Sequence, residues 1–133
     1  MSHNQVVLLL GTNLGDKNQN LKRAEELISK RVGRIIKKSG ILETEPEGFV
    51  SDHDFLNRAL WVATPLSPVV LLKFVKAIEQ EMGRIKTTPE RYEDRIIDID
   101  ILEFNRLVFE SETLTLPHPQ TKSRSFVKNL LKF

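Results

Sequence analysis

The stretch Arg95-Ile96-Ile97-Asp98-Ile99-Asp100-Ile101 decides the fold. Side chains alternate along a β-strand, so Ile97, Ile99 and Ile101 leave one face while Asp98 and Asp100 leave the other. The isoleucines belong to a core and the carboxylates to a face open to ligand. Two like charges roughly 6 to 7 Å apart at that spacing repel each other, and a Mg²⁺ ion with carboxylate and phosphate ligands is one way to relieve the repulsion. Pairing with Arg95 on a solvated strand face is the other, and the spacing alone does not choose between them.

The strand continues from Ile96 to Phe104, and elements can be read outward from it. Upstream, Ser67-Pro68 supplies the N-cap and first-turn proline of a helix with Leu71, Val75, Ile78 and Met82 on its inner face and Gly83 at its end. Glu79 falls on the margin of that apolar stripe, which points to a structural role. Before the helix, Phe55 to Val62 reads as a strand, and so does Ile35 to Glu43, irregular at Lys37-Lys38. Thr44-Glu45-Pro46-Glu47-Gly48 between them is a loop, because its Pro and Gly forbid regular continuation. At the start, the apolar run Val6 to Leu10 is a buried strand stopped by Gly11. Asp16 then caps a helix with Leu21, Ala24, Leu27, Ile28 and Val32 on one face and Gly33 at its end.

The resulting order is βαββαβ, an α+β ferredoxin-like sandwich with one mainly antiparallel sheet and two helices on one face. The other face is then free for ligand. Leu107 to Leu116 leaves room for an extra C-terminal hairpin. Residues 1–133 read as a single domain, with no linker or repeat, and that length suffices for a core without disulfides.

The chain has no cysteine, which excludes disulfides, thiolate metal sites and a cysteine nucleophile. The net charge of +2 comes from basic and acidic residues mixed along the chain, too mild to argue for nucleic acid. No stretch reads as a signal peptide or membrane span, so a cytoplasmic protein is expected.

Arg84, Lys86, Arg91 and Arg95 surround the approach to the acidic strand, where guanidinium forks would match phosphate oxygens; a solvated loop is the plain alternative. On the Phe55 to Val62 strand, Phe55, Asn57, Ala59 and Trp61 share a face. A ring beside a carboxamide suits a flat heterocycle, since one stacks and the other reads its polar edge. Phe126 could supply an opposing ring, although both phenylalanines also suit a core. Pro117-His118-Pro119 with Lys122 and Arg124 brings an imidazole and two cations into one short segment. No glycine-rich Walker loop and no nucleophile–base pair stands out.

Taken together, Gly11-Thr12-Asn13-Leu14, Thr44 to Gly48, Asp54-Phe55-Leu56-Asn57, Glu79 with Gly83-Arg84, Arg95 to Asp100, and Pro117-His118 with Arg124-Ser125-Phe126 resemble, in order and spacing, the 6-hydroxymethyl-7,8-dihydropterin pyrophosphokinase family. The resemblance covers nearly the whole chain. It implies transfer of the pyrophosphoryl group of ATP to the pterin hydroxymethyl group, giving AMP, in folate biosynthesis. It implies two Mg²⁺ ions on Asp98 and Asp100. Phe55 and Phe126 would sandwich the pterin, Asn57 would read its edge, and the Thr44–Gly48 backbone, Thr44 and Pro46 included, would complete the pocket. Arg84 and Arg95 would act on the transferring group, with Lys86, His118 and Arg124 near the phosphates of ATP. The family's aromatic-Gly-Pro step before the arginine is here Tyr92-Glu93-Asp94.

The implied partners are ATP and the pterin, without nucleic acid or membrane, and a monomer is expected. Two other readings stand beside this one: a non-catalytic ferredoxin-like module binding RNA or a small ligand, and a degenerate pyrophosphokinase that binds pterin without turnover. Two acids at the centre of the open face would repel an RNA backbone unless metal intervened.

Overall fold

The computed structural model describes residues 3–46, 53–83 and 96–132. Its elements are β1 (Asn4–Thr12), α1 (Lys17–Arg31), β2 (Arg34–Lys38), β3 (Leu42–Thr44), β4 (Phe55–Thr64), α2 (Pro68–Glu81), β5 (Asp98–Phe104), β6 (Phe109–Glu110), β7 (Thr115–Leu116), α3 (Gln120–Ser123) and α4 (Ser125–Leu131). The main sheet runs β2-β4-β1-β5, with β3 also on β4. Every pairing in it is antiparallel. The architecture is a mixed α/β fold with an antiparallel sheet, and no described helix is long and apolar enough to cross a membrane.

The two long helices start where the sequence places them, while α3 and α4 were not expected. Asp16 caps α1 by accepting from the Gln19 N–H at 3.1 Å, and Ser67 caps α2 with Pro68 in the first turn. The buried residues Leu21, Ala24, Ile28, Leu71, Val75 and Ile78 of α1 and α2 form one core with Val6, Leu8, Leu10, Leu60, Val62, Ile99 and Ile101 of the sheet and with Ile97 just before β5. Ile99 and Ile101 therefore point to the helices as their alternation with the aspartates predicts. Gly33 follows α1 because the chain passes so close to β4 that a Cβ there would collide with the carbonyl of Ala63.

Three local expectations need correction. The strand expected over Ile35 to Glu43 is two strands, β2 and β3, broken at Ser39-Gly40-Ile41. Ser39 is buried and replaces a regular ladder step: its N–H donates to the Ala59 carbonyl, and its Oγ accepts from the Ala59 N–H, both at 2.9 Å. The first strand does not stop at Gly11 but runs to Thr12, because Gly11 is paired on both sides, with Asn57 and with Asp98. The second face of the sheet is not left free. Val127 and Leu130 of α4, with Phe126, form an apolar cluster with Val7, Leu9, Ala59 and Leu102.

Leu102 lies on that second face by alternation with Asp98 and Asp100, and the strand then bulges. Leu8 is opposite Ile101 and Val7 opposite Glu103, so Leu102 is the extra residue, and Phe104 returns to the helix side opposite Val6. Beyond β5, β6 and β7 pair as a short hairpin, the feature for which Leu107 to Leu116 left room. Its Phe109, Leu114 and Leu116 pack against the helix-side core.

Candidate active site

Strand register assembles the centre of the site. Asn57 of β4, Gly11 of β1 and Asp98 of β5 lie side by side across three adjacent strands, and Ala59, Leu9 and Asp100 form the next row. Both aspartates thus share a face with Asn57, as period-two alternation requires. Gly11 is the floor between amide and carboxylate. A Cβ on it would stand 3.4 Å from Asn57 Oδ1 and 3.6 Å from the Phe55 ring, so its missing side chain leaves room in front of both. The sequence shows Gly11 only as a strand breaker; Thr12 straight after it, a residue type favoured in strands, was the available hint of continuation.

Asn57 is buried, and its amide hydrogens are both engaged: Nδ2 donates to the Leu42 carbonyl at 3.0 Å and to Thr44 Oγ1 at 2.8 Å. Its Oδ1 accepts no hydrogen bond among the described residues, so this amide offers an acceptor to a heterocycle. The strand β3 exists to make that arrangement, since Leu42 is opposite Asn57 and Thr44 opposite Phe55. Upstream of Phe55, Asn13 donates to the His53 carbonyl at 3.1 Å and Lys17 to the Asp54 carbonyl at 3.1 Å. These tie the start of β4 to the loop after β1.

Asp98 and Asp100 are partly buried. The carboxyl of Asp100 is pushed up to about 7, first by burial and then by the charge of Asp98, with Glu79 adding to the shift and the Gln120 amide opposing it. Glu79 itself is 2% exposed. It accepts from the backbone N–H of Ile99, between the two aspartates, at 2.7 Å, and pairs with Lys76 at 3.3 Å. Its role is to hold the acidic strand against α2. The charge of Asp98 beside the buried carboxyl of Asp100 favours a cation there. Among the described residues no cluster offers three or more side-chain metal ligands. Two hard oxygen donors, with the remaining positions left to phosphate and water, is the donor set that Mg²⁺ accepts. The residues present therefore fit that ion.

The C-terminal segment closes the other side. His118 donates its N–H to the Leu102 carbonyl at 2.8 Å, which docks the loop on β5. Its Nδ1 accepts from the Gln120 N–H at 3.2 Å, so the neutral ring carries its proton on Nε2. Burial holds the imidazole below its usual range despite the opposing charge of Asp98, and Arg124 depresses it further. Arg124 lies over the Phe126 ring with its guanidinium carbon 4.3 Å from the centroid, and donates to Gln120 Oε1 at 3.0 Å.

Of the residues expected in the site, Asp100, His118 and Arg124 are joined through Gln120, and the charge of Asp98 acts on both Asp100 and His118, while Phe55 and Asn57 adjoin Gly11 and Thr44 bonds Asn57 on the β4 side. Phe126 is 8% exposed and sits in the apolar cluster under Arg124. Pro46 follows β3 as the last described residue before position 53. Arg84, Lys86, Arg95 and the segment Tyr92-Glu93-Asp94 lie outside the described residues, as do Glu47 and Gly48. Gln120 escaped the sequence reading, since a glutamine after His-Pro carries no motif of its own.

Comparison with known proteins gives consistent results. Residues 7–132 match the family described as 7,8-dihydro-6-hydroxymethylpterin-pyrophosphokinase. A 2-amino-4-hydroxy-6-hydroxymethyldihydropteridine pyrophosphokinase of Porphyromonas gingivalis is 45% identical over 125 residues, covering 92% of this chain and 85% of that protein. A protein of the same name from Bacillus subtilis is 39% identical over 126 residues, covering 94% of this chain and 74% of that one. Among solved structures, Plasmodium falciparum HPPK-DHPS with pteroate superposes with a TM-score of 0.73 at 20% identity, over 95% of this chain and 38% of that one. That likeness speaks to fold alone.

Proposed function

The chain belongs to the 7,8-dihydro-6-hydroxymethylpterin-pyrophosphokinase family, and from that premise we infer that it transfers the pyrophosphoryl group of ATP to the hydroxymethyl group of 6-hydroxymethyl-7,8-dihydropterin, a step of folate biosynthesis. The hydroxymethyl oxygen forms a bond to the β-phosphorus and loses its proton, and the bond from that phosphorus to the α-phosphate oxygen breaks to release AMP. The observation that carries the reading is the row Asn57–Gly11–Asp98, which sets a heterocycle acceptor and a cation-binding carboxylate on either side of a glycine floor.

In this reading Asp98 and Asp100 would hold two Mg²⁺ ions together with the phosphates of ATP. Bound Mg²⁺ offsets the charge of the polyphosphate and of its developing transition state. The chain's own residues position the rest. Asn57 Oδ1 accepts from a ring N–H of the pterin, Phe55 and Phe126 flank the ring, and Thr44 and Pro46 border the pocket. His118 offers its Nε2–H to a phosphate oxygen, and Arg124, held between Gln120 and Phe126, supplies fixed positive charge. Arg84, Lys86 and Arg95 complete the phosphate side. Catalysis on this plan is positioning and electrostatic stabilisation without a covalent intermediate.

The fold is read as ferredoxin-like, a class that the order β2-β4-β1-β5 with both long helices on one face supports. Residues 1–133 act as one domain, a cytoplasmic monomer with ATP and the pterin as its partners.

The test is product analysis. Purified protein with ATP, Mg²⁺ and the hydroxymethyl pterin is expected to form AMP in step with pterin consumption. Formation of ADP, or no AMP at all, would overturn the assignment.

A further inference from the structure

We infer that Gln120 is a positioning residue for this site, one whose carboxamide fixes the metal-binding carboxylate of Asp100 and the guanidinium of Arg124 relative to each other. The inference rests on the reading above, in which Asp100 meets a cation and Arg124 a phosphate. Gln120 is 6% exposed although it lies in a short, polar helical turn. Its Nε2 donates to Asp100 Oδ2 at 2.9 Å and its Oε1 accepts from Arg124 at 3.0 Å. Its backbone N–H meets His118 Nδ1 at 3.2 Å. One residue thus touches three of the groups assigned to phosphate and metal.

The chemistry allows this amide a single orientation. Turned by half a revolution, it would set its NH₂ against a guanidinium and its oxygen against a carboxylate, losing two bonds and adding two repulsions. A cation-assisted and an anion-assisted hydrogen bond therefore brace the same planar group from opposite ends. The consequence for Asp100 is specific. One of its oxygens is satisfied by a neutral donor that adds no charge, and Oδ1, which makes no hydrogen bond among the described residues, is the atom left for a ligand. Groups that orient a ligating carboxylate in this way commonly change metal affinity when removed. Without that amide Asp100 would lose the donor that fixes its Oδ2, and Arg124 one of the contacts that hold its guanidinium.

The experiment compares wild type with Gln120→Met, which keeps length and removes both polar ends. Two affinities are measured: Mn²⁺ for the complex with a non-hydrolysable ATP analogue, by electron paramagnetic resonance, and the pterin for the metal-free protein, by fluorescence. Gln120→Met is expected to weaken Mn²⁺ binding by about ten-fold and to lower kcat. Pterin affinity should stay within two-fold, because Asn57, Thr44 and Phe55 do not touch position 120 and Phe126 is held by its packing on Leu9, Ala59 and Leu102. Unchanged Mn²⁺ affinity, or Mn²⁺ and pterin affinities falling together as in general loosening, would overturn the positioning role. The wild-type AMP assay separates the two ideas, since its failure would remove the reaction while the cation comparison still reports on Gln120.

Discussion

The carboxylate of Glu79 in α2 accepts the backbone N–H of Ile99 in β5 at 2.7 Å, at the one residue flanked on both sides by the candidate metal ligands. A helix side chain thereby sets the height of the acidic strand. Glu79→Gln retains an acceptor, whereas Glu79→Leu leaves the Ile99 N–H buried and unpaired at a cost of about 1–3 kcal/mol. Urea unfolding is expected to rank wild type above Glu79→Gln above Glu79→Leu. An equal stability for Glu79→Leu and wild type would mean that another group takes over the Ile99 N–H.

The carboxylates themselves carry the cation. Asp98→Ala and Asp100→Ala are expected to lose on the order of a hundred-fold or more in kcat while keeping the circular dichroism spectrum of the wild type. Near-normal turnover in either variant would remove that residue from the metal site.

Without metal, Asp100 binds its proton more tightly in the folded chain, at about 7, than at the ordinary value of 3.8. Between those values the folded state holds more protons than the unfolded one, so stability from this group is complete below the lower value and is lost as pH rises toward the upper. The melting temperature of metal-free protein should therefore decline across that window. Asp100→Asn, which still accepts from Gln120, should flatten the decline, and Mg²⁺ with ATP should oppose it at pH 8. A wild-type profile as flat as that of Asp100→Asn would dismiss the shift.

At the floor of the site, Gly11→Val is expected to weaken pterin binding by about ten-fold or more, since branched carbon would occupy the space in front of Asn57 Oδ1 and Phe55. Titration of the pterin by fluorescence measures it. Pterin affinity equal to wild type would place the heterocycle elsewhere.

How much of this could be read without coordinates follows from where each signal lies. The opposite faces of Asp98/Asp100 and Ile99/Ile101, the Asp16 and Ser67 caps, and the sharing of a face by Phe55 and Asn57 are local consequences of period and capping, and they stand in the fold. The break at Ser39 and the bulge at Leu102 are settled by pairing with Ala59 and with Val7 and Leu8, partners distant in sequence. The covering of the second sheet face was hidden for the same reason: Phe126, Val127 and Leu130 show an apolar stripe, and nothing local says which surface receives it. Gln120 gains its place only when His118 docks on Leu102.

That docking has a further effect, unrelated to the reaction. Among the described residues β5 is the last strand of the sheet, and a terminal strand is a template on which a foreign chain can assemble. Here Glu79 occupies the Ile99 N–H and the His118 N–H occupies the Leu102 carbonyl, so two outward-facing groups of that strand are already claimed by the protein itself. The contacts that hold the acidic strand in register for a ligand also blunt its capacity to seed aggregation.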